Sequence, residues 1–155
     1  MGQKIHPYGL RLGIVTDWKS RWYSEKEYAA NVAEDHEIRA YLKGELKRGA
    51  ISRIDIERIG DKKVQIDVHT GRPGVVIGRK GQEIERLQEE LQELVGRRIN
   101  IKIEEISRPE RHAQLVAEDI AEQLAKRASF RRCMKRSVEQ TMEAGAKGIK
   151  IQLSG

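Results

Sequence analysis

Between Ile54 and Val68 two runs alternate apolar with polar residues: Ile54 and Ile56 before a Gly60-Asp61 break, then Val64, Ile66 and Val68 after it. A period of two turns alternate side chains to opposite faces of a strand. Two such runs joined by a glycine turn predict a β-hairpin with one apolar face. The charged residues between them mark the other face as wet. Flanking segments then have to present apolar stripes to the hairpin, and they do.

Upstream, residues 24–50 read as helical. Ser24 with Glu27 three residues on has the form of a capping box, and Asp35 is placed to cap a second helix. That second segment sets Ile38, Tyr41, Leu42 and Leu46 on one face, with Gly49 near its end. Downstream, Gly71-Arg-Pro-Gly74 leads into Val75-Val76-Ile77-Gly78-Arg79-Lys80-Gly81. A helix follows from about Gln82 to Val95, with Ile84, Leu87, Leu91 and Leu94 as its stripe and Gly96 ending it. Barely two heptads are too few for a coiled coil, so this stripe faces a core. Ile99, Ile101 and Ile103 alternate as a third strand.

Residues 1–16 read differently. Pro7, Gly9 and Gly13 stand among Lys4, Arg11 and scattered aliphatics, a density of helix breakers that predicts an extended arm. A basic arm of this kind orders against a partner or frays as a plain terminus, and both readings stand. Trp18, Trp22 and Tyr23 are expected to pack the arm against the first helix, with stacking on bases as the other use. Around Arg108-Pro109 the chain changes domain. Two helices follow, roughly His112 to Ala128 and Phe130 to Ala144, then a turn at Gly145–Gly148 and a strand with Ile149, Ile151 and Leu153. One strand without a sheet is incomplete, so this domain is expected to be truncated or completed by a partner.

The chemistry concentrates at Gly78-Arg79-Lys80-Gly81. Glycines at a helix start let backbone N–H groups and phosphate approach with no Cβ between them. The helix behind adds its positive end and unpaired amides, and Arg79 and Lys80 add two cations. This arrangement suits gripping a sugar-phosphate backbone while bases cross an apolar groove, the KH mode of RNA recognition. Val76, Ile77 and Ile84 are placed to line or support that groove. A bare G-x-x-G is weak, and Gly71–Gly74 is another. Flanking by Ile77 and Ile84, after helix–strand–strand and before helix–strand, makes this one specific, and the alternative is a plain turn between helices.

A second basic site lies in Phe130-Arg131-Arg132-Cys133-Met134-Lys135-Arg136. At 100° per residue Phe130, Met134, Val138 and Met142 share the core side. Arg131, Arg132, Lys135 and Arg136 point away from it. Such a face is either a solvated helix side or a phosphate contact; as a membrane-surface helix it lacks Trp and Leu on its apolar side. Thirty Lys and Arg against 24 Asp and Glu, a net charge of +6, favour a polyanionic partner.

Other classes fit poorly. No Ser or Thr follows Lys80 as a phosphate-binding P-loop requires, and no G-x-G-x-x-G follows a strand, so neither enzyme nor nucleotide cofactor is expected. The four histidines have no metal-ligand spacing. Cys133, alone, forms no internal disulfide and reads as a small buried side chain. No apolar run approaches a membrane span and no signal peptide begins the chain, so a cytosolic protein is expected.

The stretches Met1-Gly-Gln-Lys-Ile-His-Pro-Tyr-Gly-Leu-Arg-Leu-Gly-Ile14, Lys19-Ser-Arg-Trp-Tyr23, Gly71–Gly81, Ala113-Gln-Leu-Val-Ala-Glu118 and Ser129-Phe-Arg-Arg-Cys-Met-Lys-Arg136 together resemble the universal S-three family of bacterial small-subunit ribosomal proteins. The resemblance implies an α+β fold. An arm (1–16) precedes a type II KH domain with its leading helices (17–107), a three-stranded sheet packed by helices, and a partial α/β domain (108–155) follows. It also implies a structural, ribosome-bound cytoplasmic protein, without cofactor, small-molecule substrate or membrane. Its partners would be small-subunit ribosomal RNA, messenger RNA and neighbouring proteins of the subunit head. Arg131, Arg132 and Lys135 would face incoming messenger and help open its duplexes without nucleotide hydrolysis. Gly78, Arg79, Lys80, Gly81, Lys4, Arg11, Arg131, Arg132, Lys135 and Arg136 are the RNA-binding residues this reading selects. The alternative is a free-standing KH regulator of single-stranded RNA, which would share the Gly78–Gly81 clamp and leave the arm and the 130–136 helix unexplained.

Overall fold

The computed structural model describes residues 2–60 and 63–154, and of Lys80 the backbone alone; Asp61, the second residue of the hairpin turn, lies outside the described residues. Strands β1 (Ser20–Arg21), β2 (Ile51–Ile59), β3 (Lys63–Thr70) and β4 (Arg98–Glu105) form one sheet in the order β1-β2-β3-β4. The β2–β3 hairpin is antiparallel, and β1 and β4 pair in parallel at its two sides. Parallel pairing of β3 with β4 needs a long crossover. α3 (Pro73–Ile77), a 3₁₀ turn at Arg79–Gly81 and α4 (Gln82–Val95) make it. The short β1 was not anticipated, because two residues are too few to show a period.

One face of the sheet carries the core. Ile54, Ile56, Val64, Ile66, Val68 and Ile99 meet Ile38, Leu42 and Leu46 of α2 (Tyr28–Glu45) and its end, and Leu87 and Leu91 of α4. Each fully buried aliphatic contributes roughly 1.5–3 kcal/mol. On the stripe foreseen for α4, Leu87 and Leu91 are buried, but Ile84 is half-buried and Leu94 is 50% exposed. The opposite face of the hairpin is not uniformly wet. Asp55 is buried, with Arg53 at 2.7 Å and the His69 ring at 3.3 Å.

Asp35 caps no helix. α2 runs unbroken through it, and its buried carboxylate accepts from Arg58 at 2.5 Å, Ser20 Oγ at 2.7 Å and Trp22 Nε1 at 2.8 Å. A cap needs its side chain free for its own backbone; here tertiary partners took it. Ser24 does accept from the Glu27 amide at 3.1 Å, just before the helix starts.

The amino-terminal segment is not wholly extended. α1 (Pro7–Arg11) is one helical turn with Pro7 at its start, where the missing N–H costs nothing. None of its residues is buried. Of the three aromatics expected to pack, only Trp22 does, on Asp35 and 5.5 Å from the Tyr28 ring; Trp18 is 60% exposed and Tyr23 84%.

After a 3₁₀ turn at Pro109–Arg111, α5 (Ala113–Ala125) and α6 (Phe130–Glu143) pack on each other. The face of α6 turned inward is not the one its apolar pattern selects. Cys133, Ser137 and Thr141 are buried, whereas Phe130, Val138 and Met142 are exposed. The expected strand at Ile149, Ile151 and Leu153 does not form. A strand needs a neighbour's backbone to pair with, and no described segment offers one there.

Candidate nucleic-acid interface

α3 delivers the chain to Gly78, and Val76 is its one buried residue. Val76 Cγ2 comes so near Gly49 that a Cβ there would lie 2.7 Å away. Ile77, 38% exposed, and half-buried Ile84 flank the loop at the surface. Val76 is therefore part of the core beneath the loop and is not placed to line a groove at the surface. Gly78 sits at φ +70°, ψ −172°, a region open essentially to glycine, and an added Cβ would lie 2.7 Å from Glu83 Cβ. Gly81, at φ +83°, caps α4 in the left-handed region.

Gly81 has no side chain to offer α4, and no side-chain cap satisfies the first turn among the described residues. The Gln82 amide is taken by the Arg79 carbonyl through the preceding 3₁₀ turn, so it is the amides behind it in the first turn that lack a side-chain cap and suit an anion. The Arg79 side chain is exposed and makes no ion pair or hydrogen bond among the described residues; its carbonyl accepts from the Gln82 amide. The Lys80 side chain lies outside the described residues.

Two acids stand in that first turn, Glu83 and Glu85, and the glycine motif gives no hint of them. Glu83 is neutralised locally: Arg86 donates to it at 2.6 Å, to Glu90 at 3.0 Å and to Glu45 of α2 at 3.2 Å. Those carboxylates hold the Arg86 guanidinium charged well above its ordinary range, the Glu83 hydrogen bond most of all. Tyr41 donates its phenol to Glu90, and that bond, with burial and the Glu90 charge, pushes its pKa up to about 12. Arg86 ties α4 to α2 and is not available to RNA. The spacing of 83, 86 and 90 on one helix face was the available signal.

On α6, Arg131, Arg132, Lys135 and Arg136 are all exposed. Lys135 approaches Glu139 only to 3.9 Å, and Arg131 lies over the Phe130 ring at 5.6 Å. Ser129 precedes the helix without a capping hydrogen bond, and no acid stands in the first turn. Arginines at a helix start oppose the positive end of the macrodipole, at about 0.3–1 kcal/mol each. Positive potential is therefore concentrated where amides are also free. Lys4 and Arg11 stand apart on the amino-terminal segment, where Arg11 Nη1 donates to the Pro7 carbonyl at 2.9 Å. That segment leads into β1, while α3 and α4 contact β4 at the other edge of the sheet.

Residues 37–111 match the KH domain family, and residues 120–155 match the C-terminal domain of ribosomal protein S3. Over its full length the chain is 50% identical to the small ribosomal subunit protein uS3 of Ligilactobacillus salivarius, covering 71% of that protein. It is 56% identical to that of Rhodopirellula baltica, covering 68%, and 51% identical to that of Lysinibacillus sphaericus, covering 71%. The chain belongs to the uS3 family. As a uS3 member it is a structural ribosomal protein, not an enzyme. The chain is α+β, with the KH match followed in order by the match to the S3 C-terminal domain. Among the described residues, no helix is long and apolar enough to cross a membrane.

Proposed function

We propose that the chain binds small-subunit ribosomal RNA in the subunit head through the Gly78–Gly81 turn. On this reading the cationic side of α6 borders the channel by which messenger RNA enters. One observation carries it: the chain twice pairs an uncapped helix start with free arginine, at Arg79 before α4 and at Arg131 and Arg132 on α6. Helix starts without side-chain caps, beside cations in no ion pair, suit a phosphate and no apolar ligand. Arg79, with Lys80, Gly78 and Gly81, grips backbone. Arg131, Arg132, Lys135 and Arg136 hold messenger phosphates and keep unwound strands apart by steric and electrostatic means, with no nucleotide hydrolysis. Lys4 and Arg11 bring further cations to the RNA backbone from a segment with nothing buried in it. Other proteins of the head and a cytoplasmic ribosome complete the setting.

The test is RNA binding over a salt series for the wild type, for Arg79→Asp with Lys80→Asp, and for Arg131→Ala with Arg132→Ala and Lys135→Ala. Every phosphate that a variant no longer neutralises lowers the slope of log affinity against log salt by about 0.7 on single strands. The second variant should therefore bind more weakly, with a slope lower by about 2. Unchanged slopes in both variants would refute both surfaces. Tight, sequence-selective binding by protein found apart from ribosomes would favour a free-standing KH regulator instead.

A further inference from the structure

Between the far end of the hairpin and the two C-terminal helices lies a cleft of about 520 Å³, within the range of small-ligand sites. Arg72, just after β3, stands at one side, and Arg136 and Gln140 of α6 at the other. Pro109 and Leu115 supply apolar wall, and Glu110 and Asp119 supply acid. Neither arginine is in an ion pair among the described residues, whereas Arg21, Arg53, Arg58, Arg86 and Arg97 all are.

Thr141 also lines the cleft, is 5% exposed, and its hydroxyl has no hydrogen-bond partner among the described residues. A helical threonine ordinarily satisfies itself on the carbonyl four residues back; this one does not. A covered hydroxyl without a partner, on a residue that lines a polar cleft, is hydrogen-bonding capacity that the protein by itself leaves unmet.

The balance of charge decides the class of ligand. Two arginines against two carboxylates give a bare anion no net attraction. A molecule with an anionic end and an edge of mixed donors and acceptors answers both the arginines and the neutral and acidic groups opposite them. We propose that the cleft binds one nucleotide, its phosphate on Arg72 and Arg136 and its base edge on Thr141, Gln140 and Asp119. Carboxylates accept from exocyclic amines, amides serve either sense, and Pro109 with Leu115 offers the base an apolar face. The nucleotide is either an unstacked residue of bound RNA or a free mononucleotide. Arg136 belongs both to the cleft and to the cationic side of α6, so RNA on that helix passes its mouth. That source rests on the function proposed above; the chemistry of the cleft does not.

The experiment follows methyl and side-chain amide NMR signals of the full chain. It is titrated with the four ribonucleoside monophosphates in one arm and with a single-stranded RNA octamer in the other. Thr141→Val removes the hydroxyl and keeps the shape; Arg72→Ala removes one of the two phosphate-binding cations. The Thr141 methyl and Gln140 amide signals should shift, and each variant should bind about fivefold more weakly, as expected for roughly one hydrogen bond. Thermal unfolding of Thr141→Val should stay at or above the wild-type midpoint, which separates binding from folding. Shifts with the octamer alone identify RNA as the source, and shifts with monophosphates as well identify free nucleotide. Silence of Thr141 and Gln140 in both arms, or affinity unchanged in both variants, overturns the cleft. If octamer binding still falls with the Arg131, Arg132 and Lys135 substitutions, the function stated above survives that failure. Monophosphate shifts at Thr141 with no RNA binding anywhere would leave the cleft standing and remove the RNA reading.

Discussion

Gly78 and Asp35 are positions where one side chain, or its absence, decides the local structure. At Gly78 a substitution meets two obstacles, the positive φ and the Glu83 Cβ 2.7 Å from where its own would stand. Gly78→Ala should therefore destabilise by about 2–3 kcal/mol in urea unfolding. Gly81→Ala, with open space around it, should cost about 1 kcal/mol. Equal costs at the two glycines would show that the close approach to Glu83 is not real. Asp35 faces Arg58, whose side chain is as buried as its own, at 2.5 Å. Asp35→Ala leaves that guanidinium with one carboxylate, Glu34 at 2.8 Å, and the Asn31 carbonyl at 3.3 Å. A drop in stability of about 3–5 kcal/mol is expected in the same assay. A drop below about 1 kcal/mol would mean that Glu34 suffices. The glycines were legible because their spacing is a motif. The role of Asp35 was not, because its partners come from β1 and β2 and nothing in the local sequence announces them.

At the scale of the element, α6 is the informative case. Its period and extent were readable, and its four cations do stand exposed. Its buried side was misread, since Cys133, Ser137 and Thr141 face inward and Phe130, Val138 and Met142 do not. Hydrophobicity ranks the faces of a helix, but the neighbour that exists decides which face is covered. Met142→Gln should accordingly change stability by less than about 0.5 kcal/mol. Ser137→Leu, at a position only 4% exposed, should cost about 1–3 kcal/mol from overpacking. The opposite order of effects, read by thermal or urea unfolding, would mean that the apolar stripe is the packed one.

Across the whole molecule the buried apolar side chains are unevenly shared. The contiguous core runs from Ile38 to Ile99 and takes nothing from α5 or α6, whose buried residues are Leu115, Ile120, Cys133, Ser137 and Thr141. Two of those five carry hydroxyls, so less apolar area backs this unit. Local opening follows such differences. Amides of α5 and α6 should exchange with solvent roughly tenfold more readily than those of β2, β3 and α4, which hydrogen exchange of the full chain would measure. Uniform protection would indicate that the chain opens as one unit.

The alternation around Gly60, the glycine spacing at 78 and 81 and the stripe of Leu87 and Leu91 were enough to specify hairpin, glycine turn and crossover helix. Each depends on interactions within a few residues or on a period that only one element satisfies. Tertiary structure alone decided that Asp35 locks β1 to α2, that α6 buries its hydroxyl-bearing side, and that no strand forms at Ile149–Leu153. It alone brought Arg72 and Thr141 to one cleft. Those outcomes depend on which distant segment arrives to desolvate, pair with or leave open a given side chain. That is a property of the packed chain, which no local pattern encodes.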